Sequence, residues 1–170
     1  MPYVKIGKNE KVPLRYIPKN LTIKDKAKQV RYLKKSRKNY KKGNYFIRPK
    51  IKSFKNRKSN HTRRLQELYK VKNARPNKEL AKKSKCSIAT LKKIINKGEG
   101  AYLSSGSRPN QTPQSWGYAR LASALTGGNA AIIDYHLLEK GCDKNSKSLK
   151  LAKSLCKKNN KCNITKKRRS

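Results

Sequence analysis

Apolar residues fall at helical spacing in several separate stretches of this chain, and between those stretches they thin out among lysines. From Thr22 the stripe Ile23, Ala27, Val30, Leu33 and Tyr40 advances in steps of three, four and seven. Thr22 can cap the first free amides, Asp25 suits the positive end, and Gly43 offers a left-handed stop. A shorter helix is expected over Thr62 to Lys70, packing through Leu65, Leu68 and Tyr69. The pattern is sharpest from Asn77 to Asn96, where two helices are separated near Lys85, Ser87 caps the second, and Leu91, Ile94 and Ile95 close the apolar face. Thr112 followed by Pro113 opens a further helix, a side-chain cap before the residue best suited to a first turn. It runs through Trp116, Ala119, Leu121, Ala122 and Leu125 to Gly127 and Gly128. A partner helix is expected from about Asn129 to Lys140, with Ile132, Ile133, Leu137 and Leu138, and a last basic helix over Ser146 to Lys158.

The remaining segments read as extended. Pro2, Pro13 and Pro18 interrupt any helix in residues 1–20, and residues 45–54 alternate aromatic or β-branched residues with basic ones around Pro49. Residues 98–111 are dense in Gly, Ser, Pro and Asn and read as a loop. The expected fold class is therefore mainly α: a small helical core, comprising a helix-turn-helix-like hairpin and a packed helix pair, with long basic extended arms. By segment this gives an N-terminal arm at 1–20, a basic helix and extended stretch at 21–75, the helical core at 76–142 and a basic helix and tail at 143–170. Trp116, Leu121, Leu125, Ile133 and Leu137 are the expected core packing residues, and small residues such as Gly117, Ala119 and Ala122 would let the helix pair approach closely.

Charge changes the picture. The chain carries 47 Lys and Arg against 8 Asp and Glu, a net charge of +39, with 34% hydrophobic residues. A free chain so charged repels itself, and opposite charge on a partner relieves the repulsion, so the expected partner is a polyanion. The charge is uneven: +23 in residues 1–75, +10 in 143–170, and zero in 98–142. The neutral island is the expected folded centre and the flanks the contact surfaces. Candidate polyanion contacts are Lys34, Lys35, Arg37, Lys38, Lys41 and Lys42 in the first helix, Lys92 and Lys93 in the hairpin, Arg108 in the loop, and Lys166, Lys167, Arg168 and Arg169 at the end.

In a helix-turn-helix the second helix would present Ser87, Ile88, Ala89, Lys92 and Lys93 to a major groove. The turn position usually held by glycine is Lys85, which must adopt a left-handed conformation or use another turn. Three readings stay open here: a hairpin that only packs, nonspecific phosphate contact, and sequence reading. The groups available for catalysis are Ser104, Ser105, Ser107, Arg120, Asp134, His136 and Glu139, and no nucleophile or metal motif joins them. No enzyme, cofactor or catalytic residue is expected. Cys86, Cys142, Cys156 and Cys162 form no CxxC unit, and His61 and His136 are remote, which is not a zinc pattern. The cysteines read as small thiols, with a disulfide among Cys142, Cys156 and Cys162 open if assembly exposes the chain to an oxidase.

No apolar run approaches the roughly 20 residues that span a bilayer, and Met1 to Lys11 lack a secretory apolar segment, so synthesis in the cytoplasm is expected. The stretch AYLSSGSRPNQTPQSWGYARLASALTGGNAAIIDYHLLEKGC, Ala101 to Cys142, resembles an uncharacterised basic protein family of large DNA viruses of algae and protists. The upstream pieces Tyr16-Ile17-Pro18-Lys19, Tyr40 to Gly43 and Asn77 to Cys86 also resemble it. The resemblance implies a viral context and brings no site residues. Joined to the charge, it gives the expectation of a minor capsid protein of an icosahedral virion, bridging major and minor capsid proteins to the genome or an inner membrane. A DNA-binding packaging protein is the alternative, and a ribosomal protein the third reading.

Overall fold

A computed structural model describes residues 2–56 and 59–159, and the fold is mainly helical, with eight helices and one two-stranded sheet among them. The chain opens in β1, Tyr3–Gly7, which pairs antiparallel with β2, Glu10–Pro13, across Lys8 and Asn9. A 3-10 turn at Leu14–Tyr16 leads to α1, Ile23–Lys41. Then come α2, Asn60–Tyr69; α3, Lys78–Ser84; α4, Ile88–Ser104; and α5, Pro113–Leu125. The last are α6, Asn129–Ile133; α7, Tyr135–Gly141; and α8, Lys147–Asn159. Among the described residues no helix is long and apolar enough to cross a membrane.

These elements form two compact units, residues 1–58 with 99–116 and residues 59–98 with 117–170, the described residues of each being those above. In the first, Ile6 and Val12 of the hairpin, Tyr16, Ile17 and Leu33 of α1 form a small buried cluster, with Val30 and Trp116 against it. The N-terminal segment, expected to be extended, thus folds back as a hairpin, because Val4, Ile6 and Val12 alternate around a Gly-Lys-Asn turn. Trp116 meets the Tyr16 ring edge-on at 5.9 Å.

Helix α1 begins and ends where the sequence places it. Thr22 Oγ1 accepts from the Asp25 amide, and Gly43 has φ +76. Its buried face differs from the apolar stripe: Asp25, Gln29, Leu33 and Ser36 turn inward, while Ile23 is 88% exposed and Ala27 is exposed. The polar side chains are buried because each binds backbone. Gln29 Nε2 donates to the carbonyls of Tyr16 (3.0 Å) and Ser107 (3.3 Å), and Ser36 Oγ to that of Leu103 (3.0 Å).

Residues 44–56 have no regular structure and lie along this unit, as expected of an extended segment, but they are pinned. Arg48 is buried, donating to Ser36 Oγ (2.9 Å), the Tyr102 carbonyl (2.9 Å) and Ser107 Oγ (2.7 Å), with its guanidinium 3.7 Å over the Tyr102 ring. Burial pushes its pKa below the ordinary arginine value, while the neighbouring Tyr102 works the other way. The Asn110 side chain bridges Ile51 and Phe54 by accepting from the Ile51 amide (2.7 Å) and donating to the carbonyls of Ile51 (3.0 Å) and Phe54 (2.9 Å). The expected loop at 98–111 is corrected here: α4 continues to Ser104, with Tyr102 and Leu103 buried past Gly98 and Gly100.

The second unit holds the larger core. Leu65, Tyr69, Leu80, Leu91, Ile94, Leu121, Leu125, Leu138, Leu149 and Ala152 belong to one buried cluster. Tyr69 donates to the Leu125 carbonyl at 2.7 Å, and burial raises its pKa to about 12. Helix α5 starts with a reciprocal cap: Thr112 Oγ1 accepts from the Ser115 amide, and Ser115 Oγ from the Thr112 amide. Gly117 of α5 faces Gly98 of α4 as well. The single helix expected at 129–140 is two, broken at Asp134, whose side chain is buried. That break leaves Ile133 47% exposed, so it is no core residue; Leu121 and Leu125 are fully buried and Leu137 is half-buried.

Candidate functional site

A concave basic surface lies on the first unit. The turn of the hairpin, Gly7, Lys8 and Glu10, stands opposite Lys34, Arg37, Lys38 and Lys41 of α1 across a cleft of about 430 Å³. Positions 34, 37, 38 and 41 recur at three and four residues, so a single helix face carries all four cations. That face adjoins the one that buries Leu33 and Ser36, with Arg37 at the border and Lys34, Lys38 and Lys41 exposed. Arg37 is half-buried and held in place: Nε and Nη2 donate to the Ser105 carbonyl at 3.3 and 2.9 Å, and Nη2 also reaches the Lys11 carbonyl at 3.5 Å. Among the described residues Glu10 is the one acid lining the cleft.

Aromatic residues gather around the C-terminal end of α1 and the segment that follows it. Tyr40 and Tyr45 stack with ring centroids 6.2 Å apart and planes 29° apart, and Lys35 Nζ lies 4.6 Å over the Phe46 ring. Lys35, Lys42 and Arg108 are exposed. Lys34, Lys35, Arg37, Lys38 and Lys41 are thus brought onto one helix of the first unit, with Lys42 at its C-cap, whereas Lys92 and Lys93 belong to the second. Lys166, Lys167, Arg168 and Arg169 lie outside the described residues.

Helices α3 and α4 follow one another across a tight turn where the sequence places the hairpin. Lys85 takes the left-handed conformation, φ 53 and ψ 39, and Ser87 Oγ accepts from the Thr90 amide at 3.2 Å to cap α4. Ala89, Lys92, Lys93 and Asn96 are exposed along α4. The turn is also stapled. Cys86 forms a disulfide with Cys142, flanked by backbone hydrogen bonds from Ser87 to Gly141 and from Asp143 to Lys85, both 2.8 Å. This overturns the reading of Cys86 as a thiol and the restriction of pairing to the last three cysteines. Cys156 is also disulfide-bonded, and no described cysteine is free. Spacing could not reveal the pairing, because 56 residues separate the two partners.

Three of the groups available for catalysis, Arg120, Asp134 and Ser107, take part in side-chain contacts. Arg120 and Lys97 both bind the Asp134 carboxylate, and Ser107 holds Arg48. Among the described residues no three His, Cys, Asp or Glu stand close enough together to hold a metal ion. Arg48 and Asn110 escaped the sequence reading; Pro109 before Asn110, whose φ is 58, was the available signal for a left-handed turn there.

Residues 13–150 match the model of a family of unknown function, DUF5824. The chain belongs to that family. The match contains the central Ala101–Cys142 stretch and the hairpin at 77–96, and therefore both compact units in large part. Comparison with curated proteins and with solved structures gives no match.

Proposed function

We propose that the protein is a structural, non-catalytic component of a virus particle, a minor capsid protein on the inner side of an icosahedral shell that joins shell subunits to an anionic interior. The observation that carries this reading is the one-sided cationic face of α1, where Lys34, Arg37, Lys38 and Lys41 line a cleft with a single acid among the described residues. Clustered Lys and Arg bind phosphate-rich surfaces by salt-sensitive attraction, whether a genome or the headgroups of a membrane supplies the phosphate. The Cys86–Cys142 disulfide supports it, since such bonds persist on virions and in other oxidising settings and are rare in the reducing cytosol. The resemblance of the central stretch to proteins of large DNA viruses adds the viral context.

A second reading, a DNA-binding packaging protein, is favoured by one observation: the left-handed Lys85 turn leaves Lys92 and Lys93 exposed on the capped helix. Lysine cross-linking with mass spectrometry on purified particles separates the two. Links chiefly to the major capsid protein and other shell components are expected. Recovery with the genome core and no shell links favours packaging, and absence from particles overturns both.

A further inference from the structure

We infer that the basic face of α1 and the aromatic surface at its C-terminal end form one track for single-stranded nucleic acid. This deepens the proposed function, on which it rests, by naming the polyanion. The cleft supplies phosphate contacts: Lys34, Lys38 and Lys41 are exposed, and Arg37 is fixed beside them by the Ser105 carbonyl, so its orientation is paid for in the free protein. The helix then delivers the second component. Tyr40 lies one turn beyond Arg37 on the helix, and it stacks on Tyr45, which is 71% exposed. Ile47, two residues after Tyr45, is 54% exposed.

Exposed rings beside a row of cations match the two features a single strand offers together, a phosphate backbone and unpaired base faces. A duplex offers the phosphates but keeps its bases stacked inside. A phospholipid surface offers phosphates without a planar π-face. The combination therefore selects unpaired strands, with little sequence preference, because every base has a face to stack.

The test is fluorescence anisotropy on the full chain with an oligothymidine strand, a duplex of the same length, and vesicles containing phosphatidylserine, all at one salt concentration. Replacing Lys34, Lys38 and Lys41 by Glu together is expected to weaken strand binding about 100-fold or more, against about 10-fold at most for the matched triple Lys82→Glu, Lys92→Glu and Lys93→Glu. Tyr45→Ala is expected to cost about 5-fold or more on the strand and under about 2-fold on the duplex. Circular dichroism checks helicity, and if the Glu triple loses it, the same three positions as Gln, together with Tyr45→Ala, give the decision. Equal losses from both triples, an unchanged strand affinity in Tyr45→Ala, or vesicle binding that is tighter than strand binding each overturn the inference. Shell cross-links in particles would leave the broader structural role standing in that event, whereas absence from particles removes that role whatever the strand affinity.

Discussion

Arg120 grips Asp134 through two parallel hydrogen bonds, Nε to Oδ2 at 2.7 Å and Nη2 to Oδ1 at 2.8 Å, and Lys97 reaches the same carboxylate at 2.8 Å. The Asp134 side chain is fully buried, so its charge is tolerable only because this geometry replaces the lost water. Removing the acid leaves a nearly buried guanidinium facing a vacated site. Asp134→Ala is expected to cost about 3–5 kcal/mol in urea unfolding, while Lys97→Met, at a partner more than a third exposed, costs about 1 kcal/mol or less. Similar losses from the two changes would show that the fork is not the dominant contact.

The Cys86–Cys142 bond ties the turn between α3 and α4 to the end of α7. Closing a segment of 56 residues removes unfolded-state entropy worth about 4 kcal/mol in the chain-entropy account. The double change Cys86→Ala and Cys142→Ala is therefore expected to lower the thermal midpoint by several degrees or more, with native helicity retained at low temperature because the flanking backbone hydrogen bonds remain. An unchanged midpoint would mean that packing alone holds the turn.

What was legible in the sequence was local. The caps at Thr22, Ser87 and Thr112, the stop at Gly43, and the left-handed demand on Lys85 follow from interactions within a few residues, and the structure contains each of them. The inward face of α1 was not legible, because Asp25, Gln29 and Ser36 are buried by partners at Ser53, Ser107 and Leu103, and no hydrophobic periodicity records such bonds. Ile133 was misread for a related reason: the buried Asp134 breaks the helix, and the expected face rotates away at the break. For the candidate site, the cations of α1 were legible as a cluster. The hairpin that makes the cleft concave was hidden by three prolines that suggested a wholly extended arm.

Two glycines in α4 should respond in opposite senses. A Cβ on Gly98 would stand 2.7 Å from the Gly117 Cα, a backbone atom that cannot swing aside, whereas one on Gly100 meets only the Tyr40 hydroxyl at 3.9 Å. Gly98→Ala is expected to destabilise by about 1–3 kcal/mol through overpacking. Gly100→Ala is expected to stabilise by roughly 0.5–1 kcal/mol, because alanine has less backbone freedom to lose in a helix. Denaturant midpoints of the two variants check this, and destabilisation by both would place a further contact at Gly100.

Acid should loosen the pinned segment that follows α1. The Asp25 carboxylate accepts from the Ser53 amide at 2.9 Å, and this hydrogen bond, with the Ser53 side chain and then Lys28 adding to it, holds its pKa below the ordinary 3.8 despite the opposing cost of burial. The sign follows from linkage: a carboxyl whose folded pKa is depressed contributes its full stability above the unfolded value and loses it as pH falls through the folded one. The contribution should thus be complete above about pH 5 and should vanish progressively below about pH 4. Asp25→Asn removes the titrating group, so its urea midpoint should lie below wild type near neutrality and converge with it in acid. Parallel curves for the two proteins from neutral to acid pH would show that the Ser53 contact does not depend on the charge.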